Sequence, residues 1–258
     1  MIKNIFLPCL LLTGFTATAQ IEKIDTDRPD QTESAFIVPR KYVQIEAGFI
    51  SEKQNIYFRN FTAPTILSKY GLSKKTELRL ITQYEGSDSK LYIVDETSIT
   101  TPLQLGFKTA LWEEKGLLPK TSFIFHTALQ NIEYSGINGS TTTKEIACNY
   151  RLTLQNTITK NIALGYNIGM EWERMSETPA YVYTIATGLN LGKKWYTYVE
   201  AFGAVVKNEA PDNSLDAGIA YYVSDNFKLD ISGGVGISEN APPNYFAFGV
   251  SFRFKTGK

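Results

Sequence analysis

The strongest constraint in this sequence is an alternation of apolar and polar residues that keeps charged side chains on one side of each predicted strand. In residues 76–85 every charge (Glu77, Arg79 and Glu85) falls on an odd position, and the even positions are uncharged. Residues 145–155 repeat this arrangement. Because successive side chains of a strand point to opposite faces, one face of each strand is expected to meet an apolar medium.

The same alternation continues along the chain and predicts about twelve strands, an even number as bacterial membrane barrels require. From the third strand onward the apolar face carries no charge, which a β-sandwich facing water would have no reason to show. The second strand is less regular because Pro64 and Lys69 interrupt it. The predicted fold is all-β, a transmembrane antiparallel up-and-down barrel. Its predicted strands are 41–50, 63–71, 76–85, 102–112, 121–131, 145–156, 161–173, 180–191, 195–206, 214–223, 227–238 and 245–255.

The connections between these strands alternate between short and long. Such barrels have short periplasmic turns and longer outer loops, so both termini are expected in the periplasm. The predicted short turns are 73–75, 157–160, 192–194 and 224–226, and the predicted long loops include 51–62, 86–101 and 131–144.

The first residues have the pattern of a secretory signal. Lys3 is followed by an apolar stretch over residues 5–15 and by the small residues Ala17-Thr18-Ala19, which predict cleavage before Gln20. A buried helix is the alternative, but the apolar stretch is too short to cross a bilayer. The predicted organisation is a signal peptide over residues 1–19, an N-terminal leader over 20–40 and an outer-membrane barrel over 41–258.

Composition excludes other classes of protein. The 26 basic and 26 acidic residues leave no positive excess for nucleic acid. One histidine and three methionines provide few soft ligands for a metal. We therefore predict no nucleic-acid partner, no metal and no cofactor.

Several motifs resemble those of one outer-membrane family. They are Asp25–Ser34, Tyr42–Phe49, Lys69–Leu72, Thr76–Leu80 and Gly249–Phe254. Together they resemble the family named after the meta-pathway of phenol degradation, whose members are often labelled transporters. The resemblance covers nearly all of the mature chain and implies a barrel with a transport role.

The acidic leader allows three interpretations. Its carboxylates are hard oxygen ligands, but the segment lacks the glycine and spacing of a calcium loop. The other two interpretations are a solvated periplasmic leader and a plug that folds into the lumen. We favour the plug, because inward-facing arginines could bind its carboxylates. The predicted plug residues are Asp27, Arg28, Asp30 and Glu33, with Arg79, Arg151 and Arg253 as candidate partners.

The strand parity also predicts which residues line the lumen. These charges either form an ion-pair network that holds the wall together, which we favour, or select a solute. His126, the only histidine, has lumen parity and is expected to form hydrogen bonds there. The predicted lining is Glu46, Glu77, Arg79, Glu85, Lys108, His126, Glu145, Arg151, Glu171, Glu200, Asp216, Asp230 and Arg253.

The last strand resembles the signal that barrel assembly machinery recognises. Gly249, Phe252 and Phe254 fit that signal, whereas Ala247 replaces its usual polar residue and further residues follow Phe254. The alternative is an aromatic edge strand that arose by chance. A hydrophobic edge of this kind would promote aggregation unless the barrel closed over it.

These features predict a protein of the cell outer membrane that allows passive or facilitated passage of small solutes, hydrophobic or aromatic ones included. A barrel of this size should have a narrow or plugged pore. The alternatives are a barrel hydrolase of phospholipase type and a structural barrel without conductance. We predict no catalytic residues, and the expected partners are outer-membrane lipid, barrel assembly machinery and a small-molecule solute.

Overall fold

Twelve antiparallel strands form a closed barrel in the computed structural model, which describes residues 23–89, 103–136, 139–172 and 178–257. Each strand pairs with its neighbours in sequence, and the last pairs with the first. The predicted fold class is therefore confirmed. The predicted signal peptide lies outside the described residues. The strands are β1 (Tyr42–Lys53), β2 (Phe58–Gly71), β3 (Thr76–Ser89), β4 (Leu103–Trp112), β5 (Lys120–Gly136), β6 (Gly139–Thr157), β7 (Ile162–Trp172), β8 (Ala180–Leu191), β9 (Trp195–Val206), β10 (Asp212–Ser224), β11 (Phe227–Gly236) and β12 (Asn244–Lys255).

The two faces of the wall differ sharply in chemistry. Inward-facing Glu77 and Lys108 are completely buried although both are charged. The outward face carries an apolar belt, in which the most exposed strand residue is Val199 at 63%. A belt of this extent is a lipid-facing surface. It includes Leu78, Leu105, Ile168, Ile185, Leu215, Leu229, Ile231 and Phe248. Among the described residues, none forms a helix long and apolar enough to cross a membrane.

Aromatic side chains mark both ends of this belt. Tyr181 and Phe246 are exposed near one end, and Tyr70, Trp195 and Phe254 near the other. Aromatic girdles of this kind lie at the boundary between lipid and headgroups. The lipid-facing part of the wall therefore lies between two rings of aromatic residues.

Both ends of the described chain lie at the same end of the barrel. The backbone N–H of Ile24 donates to the carbonyl of Asp225 in the β10–β11 turn at 2.7 Å, and that of Thr256 donates to the carbonyl of Lys41 at 2.7 Å. The N–H of Lys41 in turn donates to the carbonyl of Gly71, where the β2–β3 turn begins. We call this the short-turn end, because the described connections there are mostly tight turns.

Several strands are longer than the alternation predicted. Residues 51–62 and 131–144 were expected to be outer loops, but β1 and β2 extend into the first range, and β5 and β6 occupy most of the second. The alternation of apolar and polar residues is required only where a strand contacts lipid. Antiparallel hydrogen bonding does not depend on lipid, so the paired strands continue beyond the apolar belt, where the alternation no longer predicts them.

The second strand forms despite its proline. Pro64 lies where the pairing of β2 with β3 shifts register, between Thr62 and Thr65. Proline has no backbone N–H to donate, so it is tolerated at an irregularity of this kind. Lys69, the other residue that interrupted the pattern, points inward and is buried.

Adjacent residues of β4 provide a test of the two faces. Leu105 is 57% exposed on the outer face, whereas Gln104 lines an interior cavity. We expect Leu105→Arg to destabilise the membrane-inserted barrel by about 2 to 4 kcal/mol, because lipid cannot solvate the guanidinium. Gln104→Arg, the matched control, should have a much smaller effect on urea unfolding in liposomes. Equal destabilisation by the two substitutions would contradict the assignment of the faces.

Candidate functional site

The residues before β1 form a strandless segment, residues 23–40, that we call the N-terminal segment. It contacts at least one residue on every strand of the closed wall, which is possible only from the barrel interior. The contacted residues are Glu46, Lys69, Arg79, Lys108, Ser122, Arg151, Asn167, Thr184, Glu200, Tyr222, Lys228 and Gly249 on β1 to β12 respectively.

The carboxylate of Asp27 accepts four hydrogen bonds, three of them from cations of the wall. One carboxylate oxygen, Oδ2, accepts from Lys69 Nζ at 2.9 Å and from Arg79 Nη1 at 3.0 Å. The other, Oδ1, accepts from Lys108 Nζ at 3.1 Å and from the backbone N–H of Ser34 at 2.9 Å. Three cations from neighbouring strands therefore hold one carboxylate.

Wall carboxylates accept hydrogen bonds from the backbone of the segment. Glu46 accepts from the N–H of Asp27 at 2.9 Å, and Glu200 accepts from the N–H of Gln31 at 2.7 Å. Glu77 likewise accepts from the N–H of residue 38 at 2.7 Å. A buried backbone donor without an acceptor is costly. These side chains therefore replace the partners that a sheet would give the segment.

Wall side chains also donate to the carbonyl groups of the segment. Lys108 Nζ donates to the carbonyl of Ser34 at 2.8 Å, and Lys228 Nζ to that of Arg28 at 2.6 Å. Ser122 Oγ donates to the carbonyl of residue 35 at 2.7 Å. The wall thus binds both the donors and the acceptors of an irregular backbone.

Glu33 is held through both its backbone and its side chain. Asn167 accepts from its N–H at 2.7 Å and donates to its carbonyl at 3.0 Å. The carboxylate pairs with Arg79 at 2.7 Å and with Arg151 at 3.7 Å. The alternation placed Asn167 on the inner face of its strand, but it did not predict that Asn167 would bind Glu33.

Arg28 lies over a pair of glycines. Gly48 of β1 and Gly249 of β12 are partners in the register, and a Cβ atom at either would overlap the Arg28 guanidinium. The guanidinium also pairs with Asp230 at 3.0 Å. Gly249 was expected only as part of an assembly signal, and its contact with Arg28 became visible only in the folded barrel.

The other predicted lining residues have the following positions. Arg79 Nε donates to His126 Nε2 at 3.0 Å, which makes that nitrogen an acceptor. Arg151 pairs with Glu171 at 2.6 Å. The side chain of Glu145 lies outside the described part of the structure. Asp216 accepts from Tyr198 and Tyr245, Glu85 accepts from Gln83, and Arg253 donates to Asn226.

The predicted assembly residues lie on the strand that closes the barrel. Phe252 and Phe254 stack with ring centroids 6.2 Å apart. Phe254 is exposed on the outer face, and its backbone position is opposite Val43 of β1. Within the described ranges, no three His, Cys, Asp or Glu side chains are placed to hold a metal ion.

The N-terminal segment separates two interior cavities. A cavity of about 380 Å³ lies on the side away from the short turns, and one of about 130 Å³ lies on the short-turn side. Arg28, Asp30 and Glu33 line both. A further cavity of about 440 Å³ shares Ile50 and Gln31 with the first and continues away from the short turns.

The segment's own carboxyl groups differ in acidity. Burial by itself would raise the pKa of Asp27, but Lys108, Lys69 and Arg79 outweigh it and hold that pKa well below the usual range. Burial raises the pKa of Asp30 to about 7, with Lys228 opposing the shift and Asp216 adding to it. Asp27 therefore stays charged near neutral pH, whereas Asp30 takes up a proton as the pH falls below about 7.

Comparison with known proteins gives a family and a fold. A family model described as "Putative MetA-pathway of phenol degradation" matches residues 26–254. An outer membrane channel from Pseudomonas putida F1 has a TM-score of 0.63 at 8% identity, over 86% of this chain and 98% of that one. The KdgM porin has a TM-score of 0.55 at 9% identity, over 82% and 99%. The NanC porin has a TM-score of 0.54 at 10% identity, over 81% and 98%. No curated protein matches the sequence.

The pKa of Asp30 makes docking of the segment depend on pH. The docked value of about 7 lies above the ordinary 3.8, so the docked state binds the proton more tightly. The Asp30 contribution to docking is therefore complete below 3.8 and is lost as the pH rises to about 7. Hydrogen exchange of the segment's amides, corrected for its intrinsic pH dependence, should be faster at high pH. Asp30→Asn should reduce this difference, with the remainder due to Asp25, whose pKa burial also raises, and an unchanged difference would contradict the assignment.

Proposed function

Because the chain belongs to the family described as "Putative MetA-pathway of phenol degradation", we propose that it is an outer-membrane channel for small solutes whose lumen is plugged by the N-terminal segment. One observation carries the proposal: a segment without strand structure crosses the interior of a closed barrel and divides its cavities. A barrel that served only as a membrane anchor would have no use for an interior cavity of about 380 Å³. We therefore favour a channel over a structural barrel without conductance.

The segment is suited to be a movable plug. It is held mainly by side-chain contacts, with a backbone hydrogen bond from Ile24 to Asp225 in the β10–β11 turn, and it contributes no strand to the closed wall. Removing it would leave the ladder of the wall intact. Charge-assisted bonds such as that of Asp27 to Arg79 hold it more firmly than exposed ion pairs would.

The cavity of about 380 Å³ favours a solute with an apolar body and a polar group. Ile50, Leu67 and Ile81 face inward there, although most inward positions of the barrel are polar. Gln83 and Gln104 line the same cavity and offer both donors and acceptors. A small hydrophobic or aromatic solute with a polar substituent fits this mixed lining.

We propose that the protein is not an enzyme. A phospholipase-type barrel needs a base and a nucleophile close together at the lipid face. His126 instead points inward, is 4% exposed and accepts a hydrogen bond from Arg79. Lipid hydrolysis by the purified protein would overturn this part of the proposal.

We further propose that the short-turn end is periplasmic, since short turns of such barrels face the periplasm. Both ends of the described chain would then be periplasmic, with the cavity of about 380 Å³ on the outer side of the segment. A solute entering from outside would thus reach the plug before it reached the periplasm.

Deleting residues 20–34 while keeping the signal over 1–19 should open the channel. We expect conductance in planar bilayers to rise several-fold, because the deletion removes the part of the segment between the two cavities. The barrel should still show heat-modifiable gel mobility. Removing the last two residues of the chain is the control and should leave conductance unchanged. A deletion that assembles normally without any change in conductance would reject the plug.

The closing strand gives a separate prediction about assembly. We propose that barrel assembly machinery recognises Gly249, Phe252 and Phe254. Phe254→Ala should lower the amount of protein in the outer membrane without blocking export. Phe248→Ala, another exposed aromatic on the same face of β12, is the matched control and should have little effect. Equal outer-membrane abundance of the two variants would contradict this recognition.

A further inference from the structure

The environment of Asp27 is that of a bound carboxylate ligand. Its two oxygens accept from Lys69 and Arg79 on one side and from Lys108 on the other, at 2.9 to 3.1 Å. Asp27 is 8% exposed, and all three cations are still more deeply buried. The three donors come from the wall, so the wall supplies most of this site and the segment supplies the carboxylate.

The wall keeps these cations in place independently of Asp27. Lys69 and Arg79 are direct partners in the register of β2 and β3, and Lys108 is the partner of Glu77 in that of β3 and β4. Lys69 also pairs with Glu46, and Arg79 with Glu77 at 3.3 Å. These wall contacts do not involve the segment, and they would persist if it left.

The balance of charge in this part of the wall requires an anion. The three cations have two wall carboxylates, Glu46 and Glu77, among them. When the segment leaves, its two carboxylates Asp27 and Glu33 leave with it, and one positive charge remains uncompensated in a buried place. A buried charge without a partner is strongly disfavoured, so the vacant site would attract a small monoanion.

We propose that Lys69, Arg79 and Lys108 form a carboxylate-binding site of the channel, and that Asp27 is its internal occupant. A solute carboxylate takes the same place when the segment moves. The site is within reach of a solute through Arg79, which lines the cavity of about 380 Å³ together with Asp27 and Glu46. This inference rests on the proposed channel function and narrows its solutes to those with a carboxylate on a small apolar body.

Chemical rescue tests the site directly. Asp27→Ala removes the occupant, so the variant should have a lower thermal unfolding temperature and a several-fold higher conductance than the wild type. Sodium formate should reverse both changes in a saturable manner, and sodium chloride at the same ionic strength should not. If formate acts no differently from chloride, the carboxylate site is rejected.

A matched variant separates a vacant site from a loosened segment. Arg28→Ala removes the pair with Asp230 and leaves Asp27 in place. Formate should therefore fail to reverse the changes in unfolding temperature and conductance that Arg28→Ala causes. Equal rescue of Arg28→Ala and Asp27→Ala by formate would overturn the proposal. If Asp27→Ala does not assemble, Asp27→Gly also vacates the place of the carboxylate and serves for the same comparison.

The deletion of residues 20–34 distinguishes this inference from the proposed function. Calorimetric titration of the deleted barrel with formate should show binding, and adding Arg79→Gln to it should weaken that binding strongly. Formate binding without raised conductance would reject the channel and keep the site. Raised conductance without formate binding would reject the site and keep the channel.

Discussion

The pairing of Asp27 with Lys69, Arg79 and Lys108 is the interaction on which the interior of this barrel depends. The three cations are 0 to 3% exposed, and each would carry a large desolvation penalty without an anion beside it. Glu46 and Glu77 of the wall supply two of the negative charges beside them, and Asp27 and Glu33 of the N-terminal segment supply the others. The electrostatics of the wall are therefore complete only with the N-terminal segment in place.

A second constraint follows from the irregular backbone of the segment. A chain inside a barrel has no neighbouring strand, so its N–H and carbonyl groups need other partners. Glu77, Glu200 and Asn167 accept from its N–H groups, while Lys108 and Ser122 donate to its carbonyls. The dense charge of the inner face therefore serves two purposes, which are to balance buried ions and to bind a backbone.

The strand alternation predicted the wall because lipid imposes a simple rule. A lipid-facing charge is costly wherever it occurs, so the pattern repeats on each strand. That rule lapses beyond the belt, and for this reason the extended hairpin of β5 and β6 was mistaken for a loop. The alternation also placed Arg79, Lys108 and Asn167 on the inner face, because a side chain's parity depends only on its position in its own strand.

The alternation predicted which residues face the interior, but it could not predict which residues they contact there. Arg79 was expected as a partner of the acidic leader, yet Arg253 was an equal candidate, and Arg253 donates a hydrogen bond to Asn226. Gly48 had no predicted role, because its contact with Arg28 exists only after β1 and β12 close the barrel. Contacts of this kind join residues far apart in the chain.

The sequence by itself determined the all-β class, the approximate strand positions and the face on which each charge lies, because each follows from the local requirement that lipid-facing side chains be apolar. Only the tertiary structure decided that the N-terminal segment lies inside the barrel and that Asp27 meets Lys69, Arg79 and Lys108. The physical reason is that closure alone brings distant strands around one small volume, where buried charges and backbone groups must satisfy one another.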